Sequence, residues 1–209
     1  LWYSNDDGAT WLDVGAVSDE APRLLAADAT TRLYFQPAAD FSGSISDVIS
    51  FKAWDRTLNW QQLGHDIDGE AAADLFGRSV SLSADGQTVA IGAHFNDGTG
   101  LNSGHTRIYH RTGSTWTQLG ADIDGEAAND NSGRSVSLSS DGQTVAIGAF
   151  LNDGNGSSSG HTRIYRWTGS AWAQLGADID GEAAEDQSGF SVSLSADGQT
   201  VAIGAHFND

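Results

Sequence analysis

The 209-residue chain carries 28 acidic residues against ten basic ones, a formal charge of −18, and Lys52 is its one lysine. Such a balance repels nucleic acid and anionic membranes, both of which are bound through Lys and Arg, and it suits divalent cations and extracellular solubility. The absence of cysteine excludes a disulfide framework, and no apolar run approaches the roughly 20 residues of a membrane span.

Residues 1–58 stand apart in composition, since both prolines, Pro22 and Pro37, fall there. The run from Ser4 through Asp6, Gly8 and Thr10 to Trp11 fits the pattern S-x-D-x-G-x-T-W. It resembles the Asp-box hairpin of sialidase propellers, a fold-stabilising turn that implies no sialidase without an arginine triad and a tyrosine nucleophile. Residues 32–43 hold an aromatic strand (Tyr34, Phe35), a corner at Pro37 and a Phe41-Ser-Gly43 turn, followed at 49–55 by a final strand ending in Trp54-Asp55. This looks like the end of a bacterial cadherin-like β-sandwich. The resemblance implies that 1–58 is the C-terminal part of a truncated β-sandwich. The chain starts at Leu1, lacks Met and stops at Asp209 inside a repeat. An excerpt of a longer protein is therefore expected, and targeting signals cannot be sought in it.

From residue 59 onward the chain repeats with a period of 56 residues. Trp60, Trp116 and Trp172 mark the period, as do Gly92, Gly148 and Gly204. Copies 60–115 and 116–171 align without a gap and share 42 of 56 positions, while the third copy, 172–209, is cut short. Within a copy, Arg78 to Ser83 alternates apolar and polar residues, the period of a half-buried strand. Asp85-Gly86 then suits a hairpin turn, and Thr88 to Ala93 forms the return strand. A Gly/Asn/Asp loop (96–104) leads to a third strand at 105–110, and a turn at 112–114 leads to a fourth at 116–121. We label these strands A to D. Four antiparallel strands per repeat predict a propeller blade, with a solenoid of stacked hairpins as the alternative. The expected fold is thus all-β: a partial β-propeller of about two and a half blades (59–209) after the truncated sandwich. The segment at 60–65 has the phase of a D strand without its own A to C, and it is expected to complete a last blade lying beyond residue 209.

Phe76-Gly77 at the start of strand A and Gly92-Ala93 at the end of strand B resemble the FG-GAP repeat of integrin α-subunit propellers. The match is closer to bacterial FG-GAP-like repeats, through residues 67–72, 79–83 and 89–93. It covers 60–209, with Ser132 and Ser188 in place of Phe76. The resemblance implies extracellular adhesion or protein binding. The spaced aspartates of the integrin calcium loop have no counterpart in the short A-to-B turn, 83–88.

The recurring acidic motif is Asp-x-Asp-Gly-Glu: Asp66, Asp68 and Glu70, then Asp122, Asp124 and Glu126, then Asp178, Asp180 and Glu182. Alternate residues of an extended chain share a face, so three carboxylates of one motif could converge on calcium. The competing role is to accept backbone N–H groups within the D-to-A connection. Asp97 and Asp153, in the B-to-C loops, should rim the same end of the propeller and join such a site. Eight of the 14 positions differing between copies one and two (73, 75, 76, 94, 95, 99, 101, 102) also fall in these loops. His65, His94 and His110 are replaced in copy two. No histidine cluster independent of the blade is therefore expected. His105, Arg107 and Tyr109, with their copy-two equivalents, read as cross-strand packing. No catalytic constellation is found, and no enzyme is expected.

The sequence thus predicts a non-catalytic adhesion or protein-binding module of a secreted or surface bacterial protein. Its ligand, a protein or a glycan, is expected on the B–C/D–A loop face, with calcium as the one candidate cofactor. A carbohydrate-binding propeller and an accessory domain of an extracellular hydrolase are the alternatives.

Overall fold

In the computed structural model, residues 1–15, 29–34 and 62–208 are described, and the chain divides into two units, 1–58 and 59–209. In the first unit, β1 (Trp2–Ser4) lies between β2 (Leu12–Asp13) and β3 (Arg32–Tyr34), antiparallel to both. The β1–β2 turn closes on Asp6, whose carboxylate accepts from Ser4 Oγ (2.7 Å), the Thr10 amide (2.8 Å) and Thr10 Oγ1 (2.6 Å). That is the hairpin the motif predicts. Of the segments resembling a cadherin-like sandwich, only Arg32–Tyr34 is a described strand; residues 35–43 and 49–55 lie outside the described residues.

The second unit is built of propeller blades. In the first, β4 (Ser79–Leu82), β5 (Thr88–Ala93), β6 (His105–Thr112) and β7 (Thr115–Gln118) form an antiparallel meander, and a short β8 (Ile123–Asp124) also pairs with β6. The second blade repeats this with β9 (Ser135–Leu138), β10 (Thr144–Ala149), β11 (His161–Trp167), β12 (Trp172–Gln174) and β13 (Ile179–Asp180). A hairpin of β14 (Ser188–Leu194) and β15 (Val201–Ala205) begins a third. The architecture is all-β, as the repeat implies.

The fourth strand differs from expectation. Rather than running unbroken over 116–121, it is split into β7 and β8 around a bulge. The register Tyr109↔Gln118 gives way to Thr106↔Ile123, so two extra residues are inserted beside β6. Gly120, at φ 83°, makes the bend. A bulge re-aims the side chains it carries, and this one carries Asp122.

Neighbouring blades bury their hydrophobic faces against each other. Ala90, Ile108 and Ile123 of the first blade join Val136, Leu138, Val145, Ile147 and Tyr165 of the second in one core. The A strands are stitched by serine: the Leu138 amide donates to Ser81 Oγ (2.9 Å) and Ser79 Oγ to the Gly133 carbonyl (2.7 Å), and both bonds recur one blade on. Gly92 and Gly148 permit this approach, since a Cβ on either would collide with the carbonyl of Gly133 or Gly189. Val136 and Leu138 are 9% and 7% exposed, whereas their first-blade equivalents Val80 and Leu82 are 63% and 58% exposed. One blade covers the next, and among the described residues Val80 and Leu82 of the leading strand stay exposed.

Candidate functional site

The C strand of each blade carries a histidine and an arginine on alternate residues, His105 and Arg107 on β6, and His161 and Arg163 on β11. Period-two geometry puts both on one face. His105 and His161 are buried, at 2% and 1% exposure. Against this face lie two connectors: the D-to-A segment entering the blade and the bulge leaving it.

In the first blade the bulge directs Asp122 at Arg107. The guanidinium grips it in a two-pronged pair, Nε to Oδ1 at 2.9 Å and a terminal nitrogen to Oδ2 at 2.8 Å, and Gln118 adds a bond to Oδ1 at 2.6 Å. Glu70, from the incoming connector, forms an ion pair with the same guanidinium. His105 Nδ1 stands 3.7 Å from Asp122 Oδ2. The second blade repeats the cluster more loosely. Arg163 lies 3.3 Å from Glu126 and donates to the Asp124 carbonyl at 2.7 Å. Asp178 takes its bond from Gln174 at 2.6 Å, while His161 Nδ1 is 3.6 Å from Asp178 Oδ2 and 4.0 Å from Glu126 Oε2.

Two sets of three donors result, Glu70–His105–Asp122 and Glu126–His161–Asp178, with the donor atoms of each set within 4.8 Å of one another. These acidic and histidine clusters have the donor chemistry to hold a metal ion. Burial pushes the pKa of both histidines down, which favours the neutral imidazole with a free lone pair. Burial works to raise the Asp122 carboxyl, but the bonds from Arg107 and Gln118 outweigh it and hold it below the ordinary value. Asp124 is raised by burial and by the charge of Asp122.

The three carboxylates of one motif do not converge on one point. The first aspartate of a motif meets the glutamate of the motif before it, one repeat earlier, and the middle residue stands beside that pair without joining it. Asp124 and Asp180 sit on β8 and β13, paired with His105 and His161. Asp66 accepts from Gln62 at 2.7 Å, and Asp68 and Glu182 are exposed. Asp97 and Asp153 accept the amides of Asn102 (2.7 Å) and Ser158 (2.8 Å), which closes the B-to-C loops. Those loops do meet the D-to-A connectors, for Thr99 Oγ1 donates to the Gly125 carbonyl at 2.7 Å.

Each of these clusters holds one histidine with two carboxylates. His65, His94 and His110 do vary, but His105 and His161 recur, and the bulge brings carboxylates to them. A second set went unrecognised: Asp74, Asp130 and Asp186, all buried. Their carboxylates accept from Asn96 (2.9 Å), Asn152 (3.0 Å) and Asn208 (3.3 Å) and so tie connector to loop. Their signal was available, an aspartate unchanged in every copy within a segment whose neighbours all differ.

The family profile of the FG-GAP repeat matches residues 67–109 and 121–165, so these two stretches are FG-GAP repeats. Among solved structures, hydrazine synthase of Kuenenia stuttgartiensis is similar at 11% identity and a TM-score of 0.40, over 66% of this chain and 32% of that one. The periplasmic gluconolactonase PpgL of Pseudomonas aeruginosa is similar at 16% identity and a TM-score of 0.40, over 60% of this chain and 35% of that one. The chain therefore spans about a third of the length of each. No curated protein sequence matches it.

Proposed function

We propose that these FG-GAP blades form a non-catalytic adhesion or protein-binding module of a secreted or surface bacterial protein, with the loop end as its binding face. The carrying observation is an apolar rim at that end. Leu75, Phe95 and Leu101 are 47%, 39% and 62% exposed. All three occupy positions that change between copies, to Asn131, Leu151 and Ser157. Exposed apolar side chains on loops held by a rigid scaffold are characteristic of partner-binding surfaces. Leu75 also sits at φ 54°, a conformation that costs a branched side chain about 1–2 kcal/mol. Retaining leucine there, exposed and strained, is explained by a contact made with another molecule.

A protein partner fits better than a glycan. Trp116 and Trp172 of the outer strands donate their indole N–H groups to the Leu63 and Leu119 carbonyls, which ties both rings to the neighbouring strand. The cadherin-like resemblance of 1–58 fits a spacer in such a protein. Calcium support would come from the exposed carboxylates of the connectors, Asp68 and Glu182 among them.

The test is immobilised chain probed against a panel of purified extracellular-matrix proteins and a glycan array. A matrix protein should be bound, and the triple substitution Leu75→Asn, Phe95→Leu, Leu101→Ser should weaken it at least tenfold. Ala84→Ser, on the opposite end, should leave it unchanged. Binding that survives the rim substitutions, or that appears only on glycans, overturns the assignment.

A further inference from the structure

The clusters Glu70–His105–Asp122 and Glu126–His161–Asp178 differ in one respect from a set of surface carboxylates. Each has a buried imidazole at its base. His161 is 1% exposed. Its Nδ1 faces Asp178 and Glu126 at 3.6 and 4.0 Å, beyond hydrogen-bond reach of both. A buried polar group left so demands an explanation. An ion supplies one. A tetrahedral cation holding nitrogen and oxygen at about 2.1 Å separates them by about 3.4 Å, close to the spacing found.

We propose that each blade carries a site for a divalent transition-metal ion of the zinc class. Its ligands are the C-strand histidine through Nδ1, the aspartate of the outgoing bulge and the glutamate of the incoming connector. Donor type decides the class. Calcium takes six to eight oxygens and no imidazole. One nitrogen with two carboxylate oxygens suits zinc, with a fourth position left for water or a group from another molecule.

Charge also permits it. Two carboxylates offset by one arginine give each cluster a net charge of −1 with the histidine neutral, so a divalent ion is electrostatically welcome. The arginine separates the two sites in strength. Arg107 holds both oxygens of Asp122 and pairs with Glu70, and so competes directly with an ion. Arg163 engages Glu126 and a backbone carbonyl, leaving Asp178 bonded to Gln174. The second-blade site is therefore the tighter. Since its glutamate and aspartate come from connectors on either side of the blade, a bound ion would clasp the two together at the loop end. The site stands whether or not the apolar rim binds a partner.

The experiment is titration of the untagged, chelator-treated full chain with Co2+, read by visible absorption, followed by displacement with Zn2+ and by thermal denaturation with each ion. Two Co2+ per chain should bind with the intense bands of low coordination number, one at least tenfold tighter, and Zn2+ should displace both and raise the Tm. His161→Asn should abolish the tight site. Glu126→Gln, at an exposed position where folding is not at stake, should weaken it at least tenfold, and millimolar Ca2+ should displace nothing. Absent bands and Tm shift, displacement by Ca2+, or tight binding unchanged by Glu126→Gln in a folded chain would each overturn the site.

Discussion

Trp172 donates its indole N–H to the carbonyl of Leu119 at 2.8 Å, reaching from the outer strand of one blade to that of the blade before it. Trp116 makes the same bond with Leu63 at 3.0 Å. Leu63 thus holds, against the first blade, the place that Leu119 holds against the second. That equivalence rests on the Leu63 carbonyl; residues 62–65 form no strand among the described residues. Trp172→Phe keeps the ring and removes the donor, leaving the carbonyl short of a partner. The expected loss is about 1 kcal/mol, seen as a fall in Tm of about 2–4 °C by circular dichroism.

The glycine pairs between blades set a steeper penalty. A methyl group at position 148 meets the Gly189 carbonyl, a backbone atom that cannot swing aside. Gly148→Ala should cost about 3 kcal/mol, at the upper end of overpacking effects, measured by urea denaturation.

His94 supplies a pH signature. Burial, with help from the charges of Arg134 and Arg78, lowers its pKa from 6.5 to about 4. The folded-state value lies below the unfolded one, so stability is full above pH 6.5 and is lost as pH falls towards 4. A shift of that size amounts to about 3 kcal/mol. The second copy has Phe150 at this position, which makes His94→Phe the natural control. The variant should lose markedly less stability than the parent between pH 6.5 and 4, compared by urea denaturation at each pH.

Leu75 predicts an uncommon outcome, a substitution that stabilises while weakening binding. Its backbone is left-handed, as is that of Asn131 in copy two, at φ 57°, and asparagine tolerates this region far better than leucine. Leu75→Asn should raise stability by about 1 kcal/mol in the same urea measurement.

The exposed side chains of the leading strand should make the chain self-associate. Val80 and Leu82 project where, one blade on, Val136 and Leu138 are covered. Sedimentation velocity should show concentration-dependent association. The pair Val80→Ser, Leu82→Ser should reduce it, and association unchanged by the pair would refute the assignment of that face.

Much of the blade was legible because its physics is local. The alternation from Arg78 to Ser83 and the Asp85-Gly86 turn each specify their structure over a few residues, and the turn closes as expected, with Asp85 accepting from Ser83 Oγ at 2.6 Å and the Gln87 amide at 2.9 Å. The split fourth strand was legible only in part. Gly120 was a local sign of a bend, but where the strand resumes was not legible, since that depends on Ile123 reaching the inter-blade core while Asp122 reaches Arg107. The cluster stayed hidden for the same reason. Its glutamate and aspartate lie 52 residues apart, as Glu70 and Asp122 or Glu126 and Asp178.

The sequence by itself determined the repeat, its phase, the four-stranded blade and the loops that share one end. It could do so because a side-chain period of two and a turn that needs glycine are properties of short stretches of chain. Only the tertiary structure decided which carboxylates meet. A motif that reads as one group of three acids is divided between two blades, and its partners are a histidine and an arginine that strand periodicity alone assigned to packing. Long-range contacts of this kind depend on how blades stack and on which side chains meet beyond a bulge, and no local pattern encodes either.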